Sequence, residues 1–242
     1  MTTSPQASTP PPDRGAERIA LLIYPGFTAL DLFGPHNMLA GLRPARMDLV
    51  AATRDPVVTD TGVSLLPSAT FADIAPGLDV LFVPGGSAGT LAAMQDAALL
   101  AFVARQGEAA RFVTSVCTGS LVLGAAGLLR GYRATTHWAA MAALAPFGAT
   151  AVDERVVVDR NRITGAGVSA GLDFGLRLVA MFRDRAYAER VQLAAEYDPQ
   201  PPFASGSPAK ASAETLALLR TLYAPVATEA LRIGRASAMV PE

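Results

Sequence analysis

The chain reads as an α/β protein, a mostly parallel sheet covered by helices on both faces. Three observations predict this. Short continuous apolar runs, most of them bounded by glycine, proline or polar residues, recur along the chain as strands buried on both faces do. Stretches with helical spacing of apolar residues separate them, which is the pattern of strand–helix–strand crossovers. At Cys117 a buried strand gives way to helical spacing within a residue or two, as happens where chains turn at the carboxyl edge of an open sheet.

The run from Ile19 to Tyr24, stopped by Pro25-Gly26, is the first buried strand. TALDLFGPHNMLAGL comes next with helical spacing, and Gly34-Pro35 is expected to break or kink it. RMDLVAA is a second strand, and VTDTGVSLLPSATFADI has the pattern of short edge strands or a hairpin. LDVLFVPGG is a third buried strand running into a glycine turn; AGTLAAMQDAALLAFVARQGE then forms one or two helices, with Gly107 near the stop. RFVTSV is a fourth strand and CTGSLVLGAAGLL a helix. GYRATTHW is a short strand, AAMAALAPFG a helix, and ATAVDERVVVDRNRITGAG two strands around an Asp159-Arg160-Asn161 turn. The stretch from Val168 to Tyr197 is long and helical, DPQPPFASGSP is a loop, and two amphipathic helices, or one broken near Pro225, end the chain.

Of 242 residues, 51% are hydrophobic and 17% charged, enough for one large core. No repeat, linker or second composition regime interrupts it. The predicted organisation is a Pro/Ser/Thr-rich disordered tail over residues 1–17 and a single domain over 18–242 with a C-terminal helical extension. Twenty basic against 21 acidic residues give a net charge of -1, with no basic stripe for nucleic acid. The tail has no apolar run, so neither a signal peptide nor a membrane partner is expected. One cysteine allows no intrachain disulfide and argues against a thiolate metal site, which points to the cytoplasm and to no metal.

Four features carry chemistry. Cys117 sits at the strand–helix hinge, where small neighbours Thr118, Gly119 and Ser120 permit the tight turn of a nucleophile elbow. A helix N-terminus there favours the thiolate, so a shift below the usual thiol value of about 8.5 is expected. The alternative is a small, inert core residue. Gly86, in FVPGGSAGT, is a candidate oxyanion donor through its backbone N–H. Asp31 is an acid inside an apolar segment, either a desolvated general acid/base or a helix cap. His137, closing RATTHW, either pairs with Cys117 or donates to a backbone carbonyl; His36 is structural or lines the pocket. Two histidines and one cysteine in such different segments give no metal-binding spacing.

The segments YPGFTALDLFGP, FVPGG, VCTGSLVLGAAGLLRGYRATTHW and ITGAGVSAGLDFGL, in this order, resemble the ThiJ/PfpI superfamily, also called class I glutamine amidotransferase-like. The resemblance covers roughly residues 18 to 200. It implies a flavodoxin-like three-layer sandwich, a homodimer, Cys117 as nucleophile and Asp31 as its carboxyl partner. Within the superfamily, CTGSLVLGAAGLL, the ERVVVDRNRITGAGVSAGLDFGL block and VQLAAEYDPQPPF resemble the isonitrile (isocyanide) hydratases. That implies cofactor-free addition of water to R–N≡C, giving an N-substituted formamide. Cys117 would attack the isocyanide carbon to form a thioimidate, and Asp31 would act as general acid and base. Thr118 would hydrogen-bond the substrate or the Asp31 carboxylate, and the N–H groups of Thr118 and Gly86 would steady charge.

Two other readings stay open from the sequence. CTGS…LLRGYRATTHW also resembles the amidase-like sensory domain of AraC-type regulators, although the segment after EYDPQPPF is short for a helix-turn-helix pair. A glyoxalase-like, protease-like or chaperone-like member of the superfamily is the other. The C-terminal helices either close over the site, make a dimer contact, or simply pack on the core. The PPF turn is a rigid loop or a pocket wall.

Overall fold

The structure, a computed structural model, describes residues 16–238. Strand β1 (Glu17–Leu22) leads through helix α1 (Ala29–Leu39) to β2 (Ala45–Ala51). A small antiparallel hairpin, β3 (Val57–Val58) and β4 (Ser64–Leu65), precedes the edge strand β5 (Ala69–Thr70). The chain then crosses back to β6 (Val80–Val83), α2 (Ser87–Ala93), α3 (Ala97–Ala109), β7 (Phe112–Val116) and α4 (Gly119–Ala125). β8 (Arg133–Ala134) pairs with β9 (Thr150–Ala151) on either side of a 3₁₀ helix, Trp138–Phe147. β10 (Val156–Asp159) and β11 (Arg162–Gly165) form the predicted antiparallel pair, and α5 (Ala170–Phe182), α6 (Arg185–Ala194) and α7 (Ala213–Ala238) come after them.

The central sheet has the order β10-β11-β7-β6-β1-β2-β5, and only the β10–β11 pair is antiparallel. α1, α5 and α6 pack together over one face, while α2, α3, α4, the 3₁₀ helix and α7 group on the other. This is the flavodoxin-like three-layer sandwich. All four residues of β6 and of β11 are buried, which explains why those segments are apolar throughout rather than alternating. From β1 the chain moves outward to β2, then returns past β1 to β6. The carboxyl ends of β1 and β6 therefore border the crevice where strand order reverses, the usual place for a site in such sheets.

Several expectations are corrected. Of the predicted tail, residues 1–15 lie outside the described residues, and Glu17 already belongs to β1. Gly34-Pro35 does not break α1: the helix runs through both. Pro35 removes the N–H that would bond the Asp31 carbonyl, and its ring is received by glycines of α5 instead. A Cβ on Gly171 would lie 2.7 Å from Pro35 Cδ. α7 is likewise one continuous helix of 26 residues across Pro225, not two. The long helical stretch is instead divided at Arg183-Asp184, where the Asp184 carboxylate accepts the Tyr187 N–H at 2.7 Å and caps α6. Arg183 turns away to form a two-pronged pair with Glu17 at the start of β1. The predicted helix after Trp138 is a 3₁₀ helix, ended by Gly148 in the left-handed conformation at φ 73°. Among the described residues no single helix is long and apolar enough to cross a membrane.

The α1–α5 contact sets where Asp31 sits, so disturbing it tests the link from packing to site. Gly171→Ala pushes a methyl group into the Pro35 ring and is expected to lower stability by about 1–3 kcal/mol, read as a lower urea midpoint at unchanged slope.

Candidate active site

Cys117 lies between β7 and α4 with φ 56°, in the left-handed region that a residue with a Cβ rarely adopts. Four hydrogen bonds hold it there. Its N–H donates to the carbonyls of Gly165 (3.1 Å) and Ala166 (3.0 Å), and its carbonyl accepts from the hydroxyls of Thr136 (3.0 Å) and Ser120 (3.3 Å). The strained turn points the side chain off the carboxyl edge of the sheet, as a nucleophile elbow does. Cys117 is 6% exposed.

Asp31, in the first turn of α1, has no solvent exposure. Its Oδ2 accepts the Gly85 N–H at 3.0 Å, Oδ1 is buried without a hydrogen-bond partner, and the carboxyl group as a whole interacts with the Cys117 thiol. Burial raises its pKa to about 7, against the opposing contacts of the thiol and the Gly85 amide. Gly85 must be glycine for this approach: a Cβ there would lie 2.6 Å from Thr118 N and 2.8 Å from Asp31 Oδ2.

The thiol departs from the expected behaviour. Burial pushes its pKa above the ordinary range and the Asp31 charge pushes it further, while the N–H groups of Val168 and Thr118 directed at the sulfur oppose them. A helix terminus is too weak to offset removal from water. These influences favour the thiol over a free-standing thiolate.

Gly86 and Thr118 are also placed differently. The Gly86 N–H donates to the Thr118 hydroxyl at 3.1 Å, so it is already occupied within the protein. Proton counting orients the rest of this chain. Tyr24 spends its one phenolic proton on the Pro84 carbonyl at 2.7 Å. Thr90 therefore donates to Tyr24 at 3.2 Å, and Thr118 donates to Thr90 at 2.7 Å. The Thr118 hydroxyl proton is thus directed to Thr90 and not to Asp31. Tyr24 is kept a neutral phenol by burial.

His137 borders the same cavity as Cys117, but no hydrogen bond joins them. Its Nδ1 accepts the Ala139 N–H at 3.4 Å, capping the 3₁₀ helix, and burial lowers its pKa, which keeps the ring neutral. It is an acceptor at that helix end, not the donor to a carbonyl that the sequence suggested. His36 sits in the last turn of α1 and does not line the cavity.

The cavity is about 210 Å³. Besides Cys117, Thr118 and His137 it is lined by residues that sequence reasoning missed. Thr28 and Asp60 form one side, joined by a 2.6 Å hydrogen bond from the Thr28 hydroxyl, and Val168 lies close to the sulfur. Tyr223, Val226 and Ala227 come from α7. A polar loop aspartate such as Asp60 carries no local signal, whereas the i, i+3, i+4 spacing of the α7 residues was visible as an amphipathic face without a destination.

A sheet that reverses its strand order beside a buried Cys–Asp pair defines a class, and the comparisons name it. The model of the DJ-1/PfpI family matches residues 17–181, and the chain belongs to that family. More particularly, it is 48% identical to an isonitrile hydratase of Pseudomonas putida, over 87% of this chain and 91% of that protein. A crystal structure of a ThiJ/PfpI family protein from Pseudomonas syringae superimposes with a TM-score of 0.90 at 51% identity, covering 95% of this chain and 98% of that one. The chain is also 31% identical, over 70% of its length, to the HTH-type transcriptional regulator GbdR of Pseudomonas aeruginosa, but spans only 48% of it. Beyond residues 17–181 the described residues form α6 and α7.

The raised Asp31 pKa makes a signed prediction about stability. With a folded value of about 7 against an ordinary 3.8, the folded chain holds a proton that the unfolded chain releases. Stability from this group is complete below the unfolded value and is lost as pH rises through about 7, a change of up to about 4 kcal/mol. Asp31→Asn should therefore gain stability relative to the native chain between pH 4 and 8, measured as a difference in unfolding midpoints. Midpoint curves that stay parallel would show that Asp31 keeps an ordinary pKa.

Proposed function

We propose that this protein is an isonitrile hydratase, adding water to organic isocyanides to give N-substituted formamides. The observation that carries the reading is the buried Asp31 carboxyl facing the Cys117 thiol at the floor of a small cavity, in a chain nearly half identical to an isonitrile hydratase. An isocyanide is neutral, and its terminal carbon accepts a nucleophile and a proton at the same atom. A thiol and a carboxylate sharing one proton supply both.

In this reading ionised Asp31 takes the thiol proton as sulfur attacks the isocyanide carbon. Asp31 then gives that proton to the same carbon, leaving the thioimidate Cys117–S–CH=N–R. Asp31 takes one proton from the attacking water and passes it to the imidate nitrogen, so hydroxide adds to the carbon and the carboxylate is regenerated. The C–S bond breaks, a formamide R–NH–CHO leaves, and the proton lost from the hydroxyl restores the thiol. The sum is R–NC plus H₂O, with no redox change and no cofactor. The N–H groups of Thr118 and Val168 that face the sulfur stabilise its negative charge as it develops. Thr118 fixes the Gly86 turn through its hydroxyl. The same reading takes the enzyme to be cytoplasmic and homodimeric, with the described domain and its C-terminal helix acting as one unit.

Formamide formation from p-nitrophenyl isocyanide tests this. Cys117→Ala should abolish turnover, and Asp31→Asn should lower kcat by about 10²- to 10⁴-fold. Because Asp31 must start ionised, native kcat/KM should fall as pH drops below about 7. Full activity in Cys117→Ala overturns the mechanism. A folded, reduced protein without turnover overturns the hydratase reading in favour of a ligand-sensing domain or another reaction of the family.

A further inference from the structure

The reaction proposed above uses the floor of the cavity and leaves its walls without a role. Those walls differ sharply. One side is polar, formed by Thr28, Asp60 and Ser87. The rest of the lining includes Tyr223, Val226 and Ala227 of α7 with His137, Ala139 and Ala140. Tyr223, Val226 and Ala227 share one face of the helix, and this face is turned to the cavity that holds Cys117.

We infer that Tyr223 is the specificity-determining residue of this site, and that with His137 it forms the wall meeting the substituent R of the isocyanide. The inference rests on the hydratase reading. The ring of Tyr223 lies 5.1 Å from that of His137 and 5.9 Å from that of Trp138, the latter perpendicular, and His137 and Trp138 are 5.4 Å apart. These are edge-to-face and tilted separations of packed aromatic groups. His137 is clamped from behind as well, since a Cβ on Gly167 would lie 2.7 Å from its Cδ2. The wall is therefore preorganised, and its neutral imidazole presents an apolar rather than a charged surface. Further along α7, Ala230 and Ile233 are buried, and Gly234 is close enough to Pro146 and Phe147 that a Cβ there would lie 3.1 Å from each. The helix is anchored to the 3₁₀ helix beyond the cavity and holds Tyr223 over it.

α7 also lies beyond residues 17–181, the part of the chain that the family model matches. The chemistry is carried by the shared domain and the selectivity by an appended helix. A neutral, ring-sized R group seats against Tyr223 and His137, which leaves the Thr28–Asp60 side for water. A small alkyl group leaves the wall uncontacted.

The test compares Tyr223→Ala, Tyr223→Phe and native enzyme on methyl isocyanide and p-nitrophenyl isocyanide, with thermal melts to confirm folding. In Tyr223→Ala the ratio of kcat/KM for the aryl over the methyl substrate should fall about tenfold or more, mainly through KM. Tyr223→Phe, which keeps the ring, should hold that ratio within about threefold of native. An equal loss on both substrates, or no change in the ratio, overturns the inference. If Tyr223→Ala does not fold, Tyr223→Leu is read by the same ratio. Alkylation of Cys117 by N-phenylmaleimide and N-methylmaleimide separates this failure from failure of the hydratase reading. Should native protein turn over neither isocyanide, the hydratase reading falls. The wall then stands if Tyr223→Ala selectively slows the phenyl reagent, and falls if it does not.

Discussion

A carboxyl group removed from water beside a buried thiol is the constraint around which this fold is arranged. Left alone, Asp31 would be driven toward the neutral acid and Cys117 would stay a thiol, because neither charge has solvent to stabilise it. One amide hydrogen bond, from Gly85, holds one carboxyl oxygen, and the other is buried without a hydrogen-bond partner. Such a pair lowers the stability of the folded chain above neutral pH, so the surrounding structure must hold it in place by other means. α1 does so by packing Pro35 into glycines of α5, and the β7–α4 turn does so with four hydrogen bonds around a left-handed cysteine.

The second support is polar and directional. Gly86, Thr118, Thr90, Tyr24 and Pro84 form a single run of donors in which each hydroxyl accepts once and donates once. Both its ends lie in the Pro84–Gly86 turn, and it passes through α2, the residue after Cys117 and the end of the first strand run. It ties the three strand ends that meet at the site without placing a charge among them. In a low-dielectric interior such a satisfied run is stiff, because reversing any one member leaves another unpaired. That stiffness keeps the Gly85 amide on Asp31, and so keeps the carboxyl half-satisfied and reactive.

Much of this was legible in the sequence, and the exceptions share a cause. Strands β1, β6 and β7 announce themselves because each is buried on both faces, and Cys117 because a change of period cannot be hidden. Asp31 stood out as an acid where the pattern demanded an apolar residue. What could not be read was whatever depends on two distant segments meeting. Pro35 looks like a helix breaker until packing against α5 offsets the missing N–H, and Pro225 sits on an exposed part of α7 that runs on through it. Gly86 looks like a free donor until its N–H is seen to donate to the Thr118 hydroxyl. The thiolate expectation failed for the same reason, since a helix end is a local feature and burial against Asp31 is not.

The arrangement also explains why one scaffold can serve unlike tasks. A neutral thiol and a raised carboxyl are poorly suited to a substrate that must be activated by a preformed anion. They suit one whose single reacting carbon needs a nucleophile and a proton together, because transfer from sulfur to Asp31 to carbon never separates charge by more than one step. That logic uses only β1, β6, β7 and the turns after them, all within the family domain. The walls above the pair come from other elements: Asp60 from the β3–β4 connection within residues 17–181, and Tyr223 from α7 beyond them. In the proposed reaction, changing those walls would alter which molecule reaches the sulfur, whereas changing Asp31 or Cys117 would alter the chemistry itself. The separation is physical: the pair is fixed by sheet topology and buried hydrogen bonds, whereas the walls are held by side-chain packing that can be remade without disturbing the sheet.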